Sequence, residues 1–456
     1  MAIQQRFNDS PVARWTVLFI VATAMMMGYF VNDVMSPLET LLEMPVSEGG
    51  LGWTPSDYGF FSGAGSFINV FLLMLFFSGI ILDKMGIRFT GTLACSLMVI
   101  GTLIKYYAVT TDFDDTVRYS LFSIHLPPSV MIASLGFAIF GVGYEMTGIT
   151  VSKSMVRWFT GHELALAMGL QLSMARFGTA AALSFSAPVA RHFSLSTPLL
   201  VAVAFLIIGL LAFLVFCVMD CRLDNNPMNQ SSQNTQSNSE EEFRLADIGI
   251  TLRNPGFWLI TLFCVLFYSA VSPFLKFSTR LMVMKYGVDA DIAGAFSSIA
   301  PFGTIMMTPL FGFIYDRYGR GVTLVITGAL MLTCVHFGFS LPMHSSAVAI
   351  TLMVILSIGY SLAPAALWPC VPKIIPLKCL GTAYSMIFFI QNFGRAIIPM
   401  FIGRANETDP SYTTSMLIFG FTALGATVIA LAMLYVDRRK GYGLQLPNIK
   451  ETSHSS

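Results

Sequence analysis

Twelve apolar stretches follow one another along this chain, each long enough to cross a hydrocarbon layer of roughly 30 Å at about 1.5 Å per residue. They fall near residues 15–35, 58–82, 89–109, 129–152, 164–190, 197–218, 256–278, 290–315, 321–341, 346–372, 378–403 and 412–436. In lipid a backbone amide must find its partner within its own segment, so uninterrupted runs of this length can only be helices. Between them, one short string of residues is written twice. Gly79-x-x-x-Asp83-Lys84-x-Gly86-x-Arg88 returns as Gly312-x-x-x-Asp316-Arg317-x-Gly319-Arg320, with the two aspartates 233 positions apart. Each copy sits where a charged turn can only be a tight loop at a membrane face. The chain therefore reads as an all-α membrane protein of two similar six-helix halves, 1–220 and 254–440. A linker at 221–253 and a tail at 441–456 complete it. Composition agrees, since 55% hydrophobic against 11% charged residues is far from a soluble balance.

Lysine and arginine set the orientation. Seventeen lie on the side holding both termini and the two repeated loops, against seven on the other side, whose first loop carries only the acids Glu39, Glu43 and Glu48. The positive-inside bias predicts cytoplasmic termini. Met1 to Arg14 is polar and the run after it is too long for a cleaved signal, so span one is expected to be a retained helix. Asn225 to Glu242 is polar and without apolar periodicity, which predicts a flexible connector.

No Walker A loop, His-Glu-x-x-His or Gly-x-Ser-x-Gly occurs. The sequence thus predicts a carrier and not an enzyme, with no cofactor, metal or nucleic acid, and with the lipid bilayer as its setting. Any uphill transport must draw on a gradient.

The repeated loop resembles the signature of the major facilitator superfamily, found between helices two and three and again between eight and nine. Its physics suits rocking: glycine permits close helix approach, aspartate can cap a helix, and basic residues form breakable ion pairs. Gly79, Asp83, Lys84, Gly86, Arg88, Gly312, Asp316, Arg317, Gly319 and Arg320 are accordingly read as the conformational switch.

An ionisable side chain near mid-membrane costs about 2.5–3.5 kcal/mol on insertion scales, so each one asks for a partner or a task. Glu145 in span four and Arg176 in span five stand out. Counting from Lys153 and Glu163, they lie about 12 Å and 20 Å above the inner face. That offset of roughly 8 Å is close to two extended residues. A zwitterion of this size would place its ammonium on Glu145 and its carboxylate on Arg176, whose planar fork matches a carboxylate. A purely structural alternative is a Glu145–Arg176 salt bridge.

The resemblance narrows at Gly141-Val-Gly-Tyr-Glu145, Trp158-Phe-Thr-Gly161-His-Glu163, Gly169-Leu-Gln-Leu-Ser-Met-Ala-Arg176-Phe-Gly178, Ala366-Leu-Trp368-Pro369 and Gln391-Asn392-Phe-Gly394. These are similar to the lysosomal dipeptide uniporter group of the superfamily. The resemblance implies that Glu145 and Arg176 hold the amino and carboxyl ends of a dipeptide, with side chains loosely accommodated. An accessory subunit, needed by that group in some hosts, is not indicated by these residues. One departure is Phe137, at a position where many superfamily members carry an arginine linked to proton coupling. Another is the absence of an acidic dileucine in Met1 to Arg14, from which a cell membrane is expected rather than the lysosomal one.

Trp368, Gln391 and Asn392 are further candidates for the cavity wall, and Asp33 for steering an amine or closing an outer gate. Lys276, Arg280 and Lys285 read as solvated helix-end charges. The expected function is facilitative, alternating-access transport of short peptides. An organic-anion antiporter or symporter centred on Arg176 and a nutrient receptor or scaffold are the alternatives.

Overall fold

The computed structural model describes residues 10–113, 117–121, 124–159, 163–224, 249, 251–375 and 380–447. Most of the expected linker and the end of the tail lie outside these. Ten helices among the described residues are long and apolar enough to cross a membrane. Local chemistry sets several of their boundaries. Asn254 caps the start of span seven (Pro255–Met284) through Gly256 N at 2.9 Å, with proline in the first turn. Span twelve (Thr413–Lys440) stops at Gly441 in the left-handed region.

Two expected spans depart from that count for physical reasons. Span two is segmented into Pro55–Ala64, Phe67–Phe71 and the start of Met74–Thr110, which continues as span three. Its first segment begins with a reciprocal Thr54–Asp57 capping box. Span five (Leu164–His192) is one unbroken helix of 29 residues, made less apolar by Gln171, Ser173, Arg176, Thr179, Ser184 and Ser186.

The two signature loops share a backbone device. Gly86 (φ 80°) breaks the helix between spans two and three, and Gly319 (φ 71°) ends span eight (Ala290–Tyr318). Only glycine takes such angles at little cost. Gly79 and Gly312 do not serve close approach, because a Cβ at either would meet nothing within 4 Å. The close packing lies elsewhere. A Cβ on Gly59 would come within 2.6 Å of Pro399 O, one on Gly63 within 2.3 Å of Ala396 O, and one on Gly294 within 1.9 Å of Leu183 O. These glycines join span two to span eleven (Leu380–Thr408) and span five to span eight, so the halves meet backbone to backbone.

Candidate substrate site

Among the described residues, three ion-pair systems bind the halves together on the side opposite the signature loops. Asp33, at the end of span one (Pro11–Asp33), accepts from Thr179 Oγ1 at 2.8 Å and Asn32 Nδ2 at 2.9 Å, and pairs with Lys276 Nζ at 2.8 Å. Arg280 pairs with Glu43 at 2.8 Å and Glu39 at 3.6 Å, and also donates to Tyr412. Arg191 reaches Asp291 at 3.5 Å. The reading of Lys276, Arg280 and Lys285 as solvated is therefore corrected. All three are mostly buried, with side-chain exposures of 12% and 7% for Lys276 and Arg280, and Lys285 donates to Phe339 O. Each buried cation has found an acceptor, as burial in low dielectric demands.

Deeper in the molecule, the structure separates the two charges that the sequence set side by side. Glu145 pairs with Arg395 of span eleven, Oε1 to Nη1 at 2.7 Å. Arg176 donates to the Tyr360 hydroxyl of span ten, and its guanidinium lies 4.7 Å from that ring's centre. The Glu145–Arg176 salt bridge considered from sequence is not formed; both groups reach across to the other half. The depth estimate also changes. Span four (Pro128–Phe159) runs six residues past Lys153, which puts Glu145 about 21 Å above its end. Arg176 is about 18 Å above Leu164, so by this count little axial offset remains between the two.

Four tyrosines were not read as site residues from the sequence. Tyr29, Tyr144, Tyr268 and Tyr360 all stand close enough to act on the Arg176 charge. They come from spans one, four, seven and ten, two from each half, and Tyr29 and Tyr144 lie 5.1 Å apart by ring centre. Trp368 belongs to this aromatic wall, donating to the Tyr268 hydroxyl at 3.2 Å and lying 5.2 Å from Phe388. The two amides differ. Asn392 accepts from Ser66 at 3.0 Å and donates to Phe388 O, which places it in the seam between halves. Gln391 presents a buried Oε1 with no hydrogen-bond partner among the described residues.

Phe137 sits where the resemblance would expect arginine, but cations surround it. Lys105 Nζ of span three is 4.8 Å from its centre and Lys276 Nζ is 5.3 Å away. Lys105 is 1% exposed and donates to Val31 O at 3.4 Å. Positive charge at this level thus comes from neighbouring helices.

Near the signature loops, Arg88 donates to Asp220 through Nε at 2.9 Å, and Arg157 and Trp158 meet the same carboxylate at 3.2 and 3.1 Å. This ties the first loop to spans four and six within one half. In the second half, Arg320 N donates to Gln445 O at 2.7 Å, so the tail packs on the second loop. Lys84 is exposed, Arg317 lies 5.8 Å from the Tyr318 ring, Asp316 is half-buried, and the Asp83 side chain lies outside the described residues.

A bundle of membrane helices in two halves, holding opposite charges between them and carrying a duplicated turn, is the architecture of a carrier and not of an enzyme. A model of the Major Facilitator Superfamily matches residues 116–399, more than half of the chain, and the chain belongs to that family. Among its relatives, the lysosomal dipeptide transporter MFSD1 of Homo sapiens is 28% identical over 387 residues, covering 82% of this chain and 77% of the relative. The Danio rerio protein of the same name is 28% identical, covering 82% and 78%. Among solved structures, the peptide transporter POT in complex with alafosfalin superposes with a TM-score of 0.71 over 97% of each chain at 15% identity. A D-xylose–proton symporter gives 0.67 at 14% identity, covering 92% of this chain and 97% of the other. These likenesses establish the fold. The relatives' names correct the expected location, since they are lysosomal proteins, not cell-membrane ones. The expectation had rested on one missing sorting motif, and such motifs are short receptor-read addresses that can lie on any exposed segment.

Proposed function

We propose that this chain carries dipeptides across the lysosomal membrane by facilitative alternating access, with Glu145 taking the ammonium and Arg176 the carboxylate. One observation carries the reading. The two opposite charges at mid-depth are each held by a group from the other half, Glu145 by Arg395 and Arg176 by Tyr360. A zwitterion entering between them replaces both cross-half contacts at once, so binding changes how the halves hold each other. The names of the relatives support the substrate class.

The signature loops lie far from these groups and are assigned to rocking, and Asp33 with Lys276 to closure of the opposite side. Transport without obligatory proton coupling belongs to this reading through Phe137, which stands where proton-coupled members carry an arginine, although Lys105 and Lys276 bring positive charge to the same level. Thermal stabilisation of the purified protein tests terminal recognition, because a ligand that binds only the folded state raises its melting point. Alanyl-leucine should stabilise it, and the N-acetylated or C-amidated forms far less. Equal shifts with the blocked forms would remove Glu145 and Arg176 from the ligand.

A second reading has its own support. Arg176 meets a neutral phenol, and among the described residues no carboxylate lies within ion-pair range of it. An organic anion would suit it without needing Glu145. Stabilisation by simple monocarboxylates equal to that by dipeptides would favour that carrier.

A further inference from the structure

A small cavity of about 50 Å³ opens beside Glu145, lined by Met25, Gly28, Tyr29, Met98, Tyr144, Thr147 and Gly148 as well as by Glu145 itself. Its walls come from spans one, three and four, all in the first half. Arg176, Tyr360 and Arg395 do not line it. We infer that this cavity is the subsite for the side chain of the dipeptide's first residue, and that Gly148 and Met98 set the size it accepts. The inference rests on the dipeptide reading above.

The chemistry of an amino-terminal residue fixes the geometry. Its Cα is one bond from the ammonium, at about 1.46 Å, so the side chain leaves within one further bond of the group on Glu145. Two branches depart from that Cα. The main chain must continue toward Arg176, outside the cavity, and the side chain enters the space that Glu145 borders.

Two of the polar side chains around this space are already engaged. Thr147 Oγ1 donates to Gly143 O at 2.8 Å and touches Met98 Sδ at 3.9 Å, while Gln171 Nε2 faces Met25 Sδ at 3.5 Å. With Met25, Met98 and the rings of Tyr29 and Tyr144, this leaves a largely apolar wall suited to a neutral side chain. The volume suits a small one, since a cavity of roughly 150 Å³ is the size that takes a benzene ring. Methionine is unbranched and adaptable, so the limit is graded and not absolute.

Two glycines define the shape, in different ways. A Cβ on Gly28 would meet Met98 Sδ at 3.2 Å and Tyr144 Cδ2 at 3.6 Å, so that glycine is packed. A Cβ on Gly148 would meet nothing within 4 Å. Gly148 therefore leaves open room on the cavity wall, and a side chain there takes space from the ligand without displacing the backbone. Alanine in place of a helical glycine also favours the helix, so Gly148→Ala should fold.

The test is binding of alanyl-alanine, leucyl-alanine, phenylalanyl-alanine and alanyl-leucine to the purified full chain and to Gly148→Ala, Gly148→Val and Met98→Ala. In the natural protein the expected order places alanyl-alanine and alanyl-leucine together, then leucyl-alanine, then phenylalanyl-alanine. Gly148→Val should widen the ratio of alanyl-alanine to leucyl-alanine affinity by about tenfold, the scale of a methylene misfit in an apolar pocket. Gly148→Ala should do the same to a lesser extent. Met98→Ala should narrow that ratio, and the alanyl-leucine to alanyl-alanine ratio should stay fixed throughout. A uniform change across all four peptides in Gly148→Ala, or a change confined to the second residue, overturns the subsite while leaving the dipeptide reading intact. Failure of the natural protein to bind any of the four overturns the dipeptide reading and the subsite with it.

Discussion

Removing Arg395 should tighten dipeptide binding, an outcome opposite to the usual result of deleting a charge from a site. Arg395 holds Glu145 at 2.7 Å, and both side chains are about one-fifth exposed, at 21% and 18%. In the proposed cycle the incoming ammonium must displace this guanidinium before it reaches the carboxylate. A hydrogen bond to a charged group contributes about 1.5–3 kcal/mol, and exposed ion pairs about 0.2–1 kcal/mol. The partly exposed pair should therefore oppose binding by roughly 1–1.4 kcal/mol, which is five- to tenfold in affinity. Arg395→Gln keeps a polar side chain of similar length and lifts that opposition. Titration calorimetry at neutral pH should show alanyl-leucine binding five to ten times more tightly, with the N-acetylated peptide unchanged. Turnover should fall, because one of the contacts by which the halves sense the ligand is gone. Weaker binding of alanyl-leucine by the variant would show that Arg395 contacts the ligand itself, and the exchange at Glu145 would have to be abandoned.

Arg176→Lys should transport almost as poorly as Arg176→Ala, since a point charge lacks the planar fork that grips a carboxylate; wild-type uptake in the lysine variant would remove Arg176 from the ligand. Gly63→Leu should keep the side opposite the signature loops from closing, because even a Cβ there falls 2.3 Å from Ala396 O. Labelled cysteines across that seam should then sit further apart, with uptake lost and peptide binding retained. Acid on that side should strengthen closure. Burial raises the Glu43 carboxyl above its usual 4.5 although Arg280 opposes this, and Glu407 adds to the rise. Glu39 and Tyr412 also face the same arginine. The closed form thus holds a proton more tightly than the open, solvated one, so the gain is complete below 4.5 and lost as pH rises through the raised value. Spin-label distances between spans one and seven should shorten from pH 8 to pH 5, and Glu43→Gln should flatten that response.

Much of the architecture was legible because lipid leaves few choices. Apolar length gives helices, and a duplicated turn gives two halves. Gly86 and Gly319 could be found from the motif alone, because a left-handed turn needs glycine. What escaped were contacts between segments distant in sequence. Glu145 was paired with Arg176 because neighbouring helices invite it, whereas its partner Arg395 lies 250 positions away. Lys276 and Arg280 looked solvated because a helix end shows its charge but not the acid opposite. The seam glycines Gly59 and Gly63 stand in a Gly-x-x-x-Gly spacing that marks a close helix approach without naming the partner; only the position of span eleven supplies it. The tyrosines around Arg176 were hidden for a similar reason, since one aromatic per helix reads as packing until four helices bring them together. The sorting of the relatives to lysosomes has no counterpart in the membrane core, whose physics is common to any bilayer.

The central claim is that a dipeptide is carried on its two charged ends without a driving ion. Counterflow in proteoliposomes tests it most directly. Vesicles loaded with unlabelled alanyl-leucine, at equal pH on both sides, should take up labelled alanyl-leucine, and Glu145→Gln and Arg176→Lys should each abolish that uptake. Accumulation that appears only under an inward proton gradient and vanishes with a protonophore, or counterflow that survives in Glu145→Gln, would contradict it.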